Sequence, residues 1–198
     1  MKRTWKLPAL LLTLLLAGCG STPQSDYYIL STLPGDAGGN TGPFIGVGPI
    51  TVPQYLDRKG IVTREDDNHL KISSFHRWAE PLPDGVQRVV AVNLASLLDT
   101  QQVAIFPWLR STSPDYGIEM NVVELSSVGK DTRLIVKWVL RDIAAGMVVE
   151  QRISNFQHRA NGEEPGEIAA AYSELLAKLS QDIAVSISQA QTYPSVER

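Results

Sequence analysis

Cys19 is the only cysteine in a chain of 198 residues, and the residues before it give its thiol a specific chemistry. Leu16-Ala17-Gly18-Cys19 closes an apolar run, about Leu7 to Leu16, that follows Lys2 and Arg3. A basic start, an apolar centre and small residues before a break make a secretory signal. Small residues that end on a cysteine form a lipobox. The thiol takes a diacylglyceryl group, the chain is cut before it, and the new amine is acylated. Small side chains let a peptidase hold the extended backbone closely, and only a thiol is nucleophilic enough to take the lipid. The competing reading, a buried thiol at the end of a transmembrane helix, fails on length. A bilayer core of roughly 30 Å takes about 20 apolar residues. The chain thus divides into a signal over 1–18, a lipidated tether over 19–25, a single domain over 26–192 and a tail over 193–198.

Three of the 18 Lys+Arg residues, Lys2, Arg3 and Lys6, precede Cys19. The mature chain therefore holds 15 of them against 21 Asp+Glu, a formal charge of −6. That balance argues against nucleic acid and against electrostatic docking of the whole surface on anionic lipid. Acyl chains must supply the membrane attachment, and each buried CH₂ contributes about 0.8 kcal/mol. With its thiol lipidated, Cys19 leaves nothing for a disulfide or a Cys-ligated metal, so packing alone must hold the fold. Gly20 and Ser21 follow it. Lipoproteins kept at the inner membrane commonly carry Asp there, so the outer membrane is the expected address.

Other reactive constellations are missing from the sequence. There is no Gly-x-Ser-x-Gly elbow, no His-Glu-x-x-His pair, no phosphate-binding Gly loop and no Rossmann fingerprint. His69, His76 and His158 are scattered, which makes a metal site improbable. Asp66-Asp67 and Glu163-Glu164 are neighbours whose carboxylates point apart in solvated turns. The expectation is a protein that is not an enzyme and takes no cofactor and no metal. Apolar residues at strand ends are more informative: Tyr55-Leu56 with Arg58, Phe75 with Trp78, and Phe106-Pro107-Trp108-Leu109. They either cover the ends of the core or present a partner surface, since Trp, Tyr and Arg dominate interface hot spots. Tyr55, Leu56, Arg58, Trp78, Phe106 and Trp108 are the candidates for such a surface.

The elements that position them follow from hydrophobic period. Short strands are expected at 26–30, 44–52, 61–64, 69–73 and 103–106, separated by turn chemistry and by a Gly-rich loop over 34–43. Val86, Val89, Val90, Leu94, Leu97 and Leu98 mark one face of a helix from about Leu82 to Asp99, with its prolines in the first turn. Three longer strands at 116–125, 133–143 and 147–158 read as an antiparallel meander. In the middle one, Leu134, Val136, Trp138 and Leu140 share a face, with Lys137 and Arg141 opposite. A last helix starts at Pro165 behind two Glu residues, carries the stripe Ile168, Tyr172, Leu175, Leu179, Ile183 and Ile187, and runs to about Ala190. The sum is an α+β, two-layer domain: a mixed, largely antiparallel sheet with two long helices packed on one face.

Val47-Gly48-Pro49-Ile50-Thr51-Val52-Pro53 with Tyr55-Leu56-Asp57-Arg58, then Ile61-Val62-Thr63-Arg64 and Arg77-Trp78-Ala79-Glu80-Pro81-Leu82, resembles the PqiC-type ABC-transport auxiliary lipoproteins. These are the lipoprotein partners of the paraquat-inducible MCE lipid-transport system. The resemblance runs from the lipobox through Tyr27-Tyr28 to the final helix. It implies a non-enzymatic periplasmic subunit on the outer membrane, acting beside an MCE-domain protein and its inner-membrane partner in lipid movement and envelope integrity. Only Cys19 carries over with a defined role, as the lipidated residue. Asp57 or Glu80 is a candidate to pair with Arg58 or Arg77 in a buried network that serves folding.

A homo-oligomeric ring would suit a subunit that meets a symmetric tube, although no sequence feature counts protomers. The rival from another class is an activator lipoprotein of a peptidoglycan synthase. Such a protein needs a long reach through the cell wall, and the tether from Gly20 to Ser25 spans roughly 20 Å at most.

Overall fold

A computed structural model describes residues 23–35, 39, 41–109 and 113–192. Cys19, the apolar run before it and the 193–198 tail lie outside the described residues. Eight strands and two helices follow in the order β1 (Asp26–Tyr28), β2 (Ile45–Thr51), β3 (Gly60–Arg64), β4 (Leu70–Trp78), α1 (Leu82–Leu97), β5 (Val103–Ile105), β6 (Tyr116–Val128), β7 (Asp131–Asp142), β8 (Met147–Arg159) and α2 (Pro165–Thr192). The strands form one mixed sheet with both helices packed on it, so the chain is an α+β domain.

The long ladders are the antiparallel meander β6–β7–β8, which pairs from Tyr116↔Asp142 to Asp131↔Arg159. The short ladders are mostly parallel, because β2 returns to lie beside both β5 and β6, and β1 lies beside β4. β6 is the spine. β7 runs along one of its edges, while β2 takes Tyr116 to Asn121 of the other and β3 touches it only at Arg64↔Val128.

Alternation in β7 puts Leu134, Val136, Trp138 and Leu140 fully into the core. From α1 the expected Val86, Val89, Val90 and Leu94 meet them, with Leu82 added, Leu98 partly buried and Leu97 40% exposed, and from α2 the expected Ile168, Tyr172, Leu175, Leu179, Ile183 and Ile187 do so. Each fully buried side chain of this kind contributes about 1.5–3 kcal/mol. Between the helices the stripe thins to small residues, and these carry polar ties. Asn93 donates from Nδ2 to Ser180 Oγ at 3.3 Å, and its Oδ1 accepts the Leu33 N–H at 2.8 Å. Ser173 Oγ accepts the Ser31 N–H at 2.9 Å. The strap from β1 to β2 is thereby pinned to both helices, so its buried polar groups are satisfied.

Two boundaries differ from the sequence reading. β4 does not end at Ser73 but continues to Trp78, so Phe75 and Trp78 are strand residues and not loop residues. The β3–β4 register shifts between Gly60 and Val62, which lets the strand pass its Ser73-Ser74 pair without ending. The first helix closes at Leu97, and Asp99 takes a positive φ of 52°. In the proposed ion network, Glu80 pairs with neither Arg58 nor Arg77. Its Oε1 accepts from Arg88 of α1 at 2.6 Å, and Arg88 also donates to the Leu30 carbonyl at 2.9 Å. Through Arg88, Glu80 at the start of α1 is tied to the backbone that follows β1. Asp57 and Arg58 are exposed.

α2 is fixed to β8 by charge. Arg152 Nη1 donates to both carboxylate oxygens of Asp182 at 3.0 Å and pairs also with Glu150. Burial raises the pKa of Glu150, but the Ser186 hydroxyl and the Arg152 guanidinium outweigh it and hold the carboxyl below its ordinary value of 4.5. A carboxylate with a lowered folded-state pKa stabilises above its unfolded value, and that stability is lost as pH falls through the folded one. Glu150→Gln is therefore expected to melt below wild type near neutrality, with the gap closing as pH drops below about 4, as read by thermal melts across pH.

Candidate docking surface

The six candidate residues do not form one surface. Leu56 is 3% exposed and Trp78 is 7% exposed, so both are core residues, and they are withdrawn as partner contacts. Leu56 is drawn inward by a turn in which its N–H donates to the Pro53 carbonyl at 2.8 Å. Trp78 is strand-borne and stacks on Tyr172 of α2, with ring centres 6.4 Å apart. Tyr55 is half-buried and packs against the same core, while Arg58 is exposed. The second group sits after β5: Phe106 is exposed, and Trp108 is half-buried against it edge-to-face at 5.3 Å.

Trp108 owes its position to two glycines. Gly46 of β2 and Gly117 of β6 are register partners, so side by side they leave a bare patch of sheet. A Cβ on Gly46 would meet the indole at 2.9 Å, and one on Gly117 would lie 3.7 Å from it. Ile45 and Val47 point to the core on either side, which places the indole on the face away from the helices. Trp108 is thus a lid over a gap in the sheet, and Phe106, Pro107 and Leu109 around it are exposed.

Beside Phe106 lies an open groove of about 800 Å³ between the outer face of α1 and β5. Gln87, Ala91, Val92, Ala95, Ile105 and Phe106 line its middle, with Glu80, Asp84 and Arg88 at one end. Val92 and Ile105 are 44% and 47% exposed, which is unusual for apolar side chains on a helix and a strand. β5 pairs only with β2 among the described residues, so its other edge offers backbone groups to an extended segment. Gln87 holds the groove's floor by donating from Nε2 to the Val47 carbonyl at 2.7 Å. Val92 was the missed signal, since it is an apolar residue on the otherwise polar side of α1.

A second cleft, of about 590 Å³, is polar and lined by Arg64, Glu124, Asp131, Arg133 and Arg159 among others. Two ion pairs span it, Arg64 to Glu124 at 3.9 Å and Arg159 to Asp131 at 2.8 Å, while Arg133 donates to Asn155 Oδ1 at 3.1 Å. Behind it the Tyr172 hydroxyl is buried without a hydrogen-bond partner. Burial pushes that phenol well above its ordinary range, and the nearby Ser127 hydroxyl offsets only part of the effect. The histidines do not converge. His69 lies 3.2 Å from Glu65, and His76 accepts or donates at 3.0 Å with the Tyr28 hydroxyl. Among the described residues no group of three His, Cys, Asp or Glu side chains is placed to hold a metal ion. No described helix is long and apolar enough to cross a membrane.

A family model described as the ABC-type transport auxiliary lipoprotein component matches residues 30–184. The chain belongs to that family. The match covers every strand from β2 onward and both helices up to Ala184, and it includes the motifs on which the sequence resemblance rests. No curated protein matches the chain. Among solved structures, an uncharacterized protein shares the fold at a TM-score of 0.69 and 20% identity, over 83% of this chain and 99% of that one. A Xanthomonas campestris protein of the DUF330 family model shares it at 0.65 and 16%, over 84% and 99%. A PelC dodecamer from Paraburkholderia phytofirmans is more distant, at 0.46 and 15%, over 77% and 92%. Transport auxiliary lipoproteins are not a class of enzymes, and the family carries a lipid anchor at the envelope.

Proposed function

We propose that this chain is a non-enzymatic subunit of an MCE-type intermembrane lipid transport system, anchored to the outer membrane through acylated Cys19. The observation that carries the reading is the open apolar groove between α1 and β5, on a domain of a transport auxiliary family. Such a groove receives a segment of a protein partner and does no chemistry of its own. The partner is an MCE-domain periplasmic protein with its inner-membrane companion. The mechanism is positional: an anchored receptor raises the local concentration of the partner's tip and aligns its conduit with the membrane. Self-association into a ring would extend that alignment around a symmetric tube. Tyr55, Arg58 and Trp108 border the exposed loops, but Phe106 is the contact with the clearest geometry.

The test has two arms in one strain. Cys19→Ala should move the protein from the membrane fraction to the soluble periplasm, because no other segment of the domain replaces two or three acyl chains. A photocrosslinker in place of Phe106 should capture an MCE-domain protein in cells. The reading is lost if the Cys19→Ala protein stays fully with the membrane and the Phe106 position captures no such partner.

A further inference from the structure

We propose that the outward face of β1 and β4, carrying Tyr27, Ile29, Phe75 and Arg77, lies against the phospholipid headgroup layer of the membrane that holds the anchor. Strand alternation defines that face. Tyr28 and Trp78 point toward α2, since Trp78 stacks on Tyr172 and Tyr28 hydrogen-bonds to His76. Tyr27 and Arg77 are register partners one residue earlier, so they point the other way. Phe75, two residues before Arg77, lies where the β3–β4 register shifts and joins this face by its exposure, and Ile29 precedes the buried Leu30. The three apolar side chains are 63%, 55% and 42% exposed, with no element among the described residues laid over them.

The occupant follows from the tether. This step rests on lipidation at Cys19. Six residues, Gly20 to Ser25, separate Cys19 from Asp26, so the seven steps between them reach at most about 25 Å. A domain of this size has a radius of gyration of about 15 Å, so its diameter exceeds that reach. Asp26, at the start of β1, is therefore held within about 25 Å of the bilayer, a distance shorter than the domain is wide.

Charge points the same way. The mature chain is acidic and is repelled from an anionic surface over most of its area. Around this face the balance reverses. Arg58 and Lys59 are exposed at its edge, tied there by the Trp78 N–H donating to the Lys59 carbonyl at 2.7 Å and by Gly60 pairing with Arg77. Asp26 and Asp57 are the acidic residues beside them, so the three cations leave a surplus. Aromatic rings with a basic rim are what the headgroup layer accepts, because each ring buries an apolar body there while the cations stay hydrated. The acyl chains supply the affinity, and the patch sets the orientation.

The lipidated full-length protein is placed in vesicles of phosphatidylethanolamine and phosphatidylglycerol. Because the Cys19 thiol is used by lipid, single nitroxide labels can be set at Tyr27→Cys, Phe75→Cys and, as a reference on the far helix face, Val185→Cys. Collision with a water-soluble nickel chelate should be reduced about fivefold at positions 27 and 75 relative to 185, with oxygen collision raised. Equal chelate access at all three sites, in protein that floats with the vesicles, would overturn the docking and leave the anchor standing. Protein that does not float with the vesicles removes the anchor itself, and the docking with it.

Discussion

Trp138→Ala is expected to lower the unfolding free energy by about 3–5 kcal/mol, the largest loss any single truncation here should cause. The indole is fully buried at the centre of β7. It is also the first member of a chain of contacts that joins three elements. Its Nε1–H donates to Ser154 Oγ of β8 at 3.0 Å, and that hydroxyl donates in turn to Asp182 of α2 at 3.0 Å. Arg152, which holds Asp182 from the side, lies with its guanidinium carbon 5.3 Å from the centre of the indole. Removing the ring opens a cavity, takes away the donor to Ser154 Oγ and removes the surface on which Arg152 rests. Domains of this kind have about 5–15 kcal/mol in total, so the variant should sit near the edge of folding. Trp138→Phe separates the contributions. It keeps most of the packing and loses the hydrogen bond, so it should cost only about 1–2 kcal/mol. Urea denaturation of both variants reads the difference. A Trp138→Ala loss no larger than that of Trp138→Phe would show that the site collapses around the smaller side chain.

Trp138 was legible from sequence because alternation is a local property. Leu134, Val136 and Leu140 share its parity, and the turn residues at Gly129 and Gly146, both at positive φ, set the meander. The helix stripes were legible for the same reason at period 3.6. Sheet order was not local, and no pattern in Ile45 to Thr51 announces that β2 runs parallel to both β5 and β6. Trp78 shows how a local rule fails. Ser73-Ser74 looks like a strand end, but the pairing of β4 with β3 shifts register and carries the strand through, so a residue left between core cover and partner surface is core. Leu56 shows the same limit: a proline turn looks exposed, yet its hydrogen bond to Pro53 folds the leucine inward. The groove was nearly invisible in sequence, since it needs α1 and β5 to be brought together across a sheet whose order was unknown. The residue types at the strand ends were readable from sequence, and their assembly in space was not.

Parts of the surface that look functional are also structural, and the two roles meet at Trp108. Its indole covers the Gly46–Gly117 gap, while the Phe106 it packs against lines the groove. A change that unseats Trp108 should therefore loosen the fold and reshape the groove together.

Gly46→Ala is the smallest change that tests this, and it is expected to destabilise by about 1–3 kcal/mol although alanine suits a strand better than glycine. The added carbon would lie 2.6 Å from Pro114 Cγ and 2.9 Å from the indole, both stiff neighbours, so the ring must lift or the strand must shift. Removing the ring first divides the cost. In a Trp108→Ala background, the share due to the indole disappears, and only the clash with Pro114 persists. The double-mutant cycle should then show an interaction energy of about 1 kcal/mol or more, against the near-additivity expected of independent sites. Near-ultraviolet circular dichroism reads the same event, because a lifted indole loses its fixed edge-to-face contact with Phe106. If Gly46→Ala costs as much without Trp108 as with it, the indole does not rest on the glycine seat. Trp108 would then be a surface residue free to meet a partner, and Phe106 would have no fixed neighbour in the groove wall.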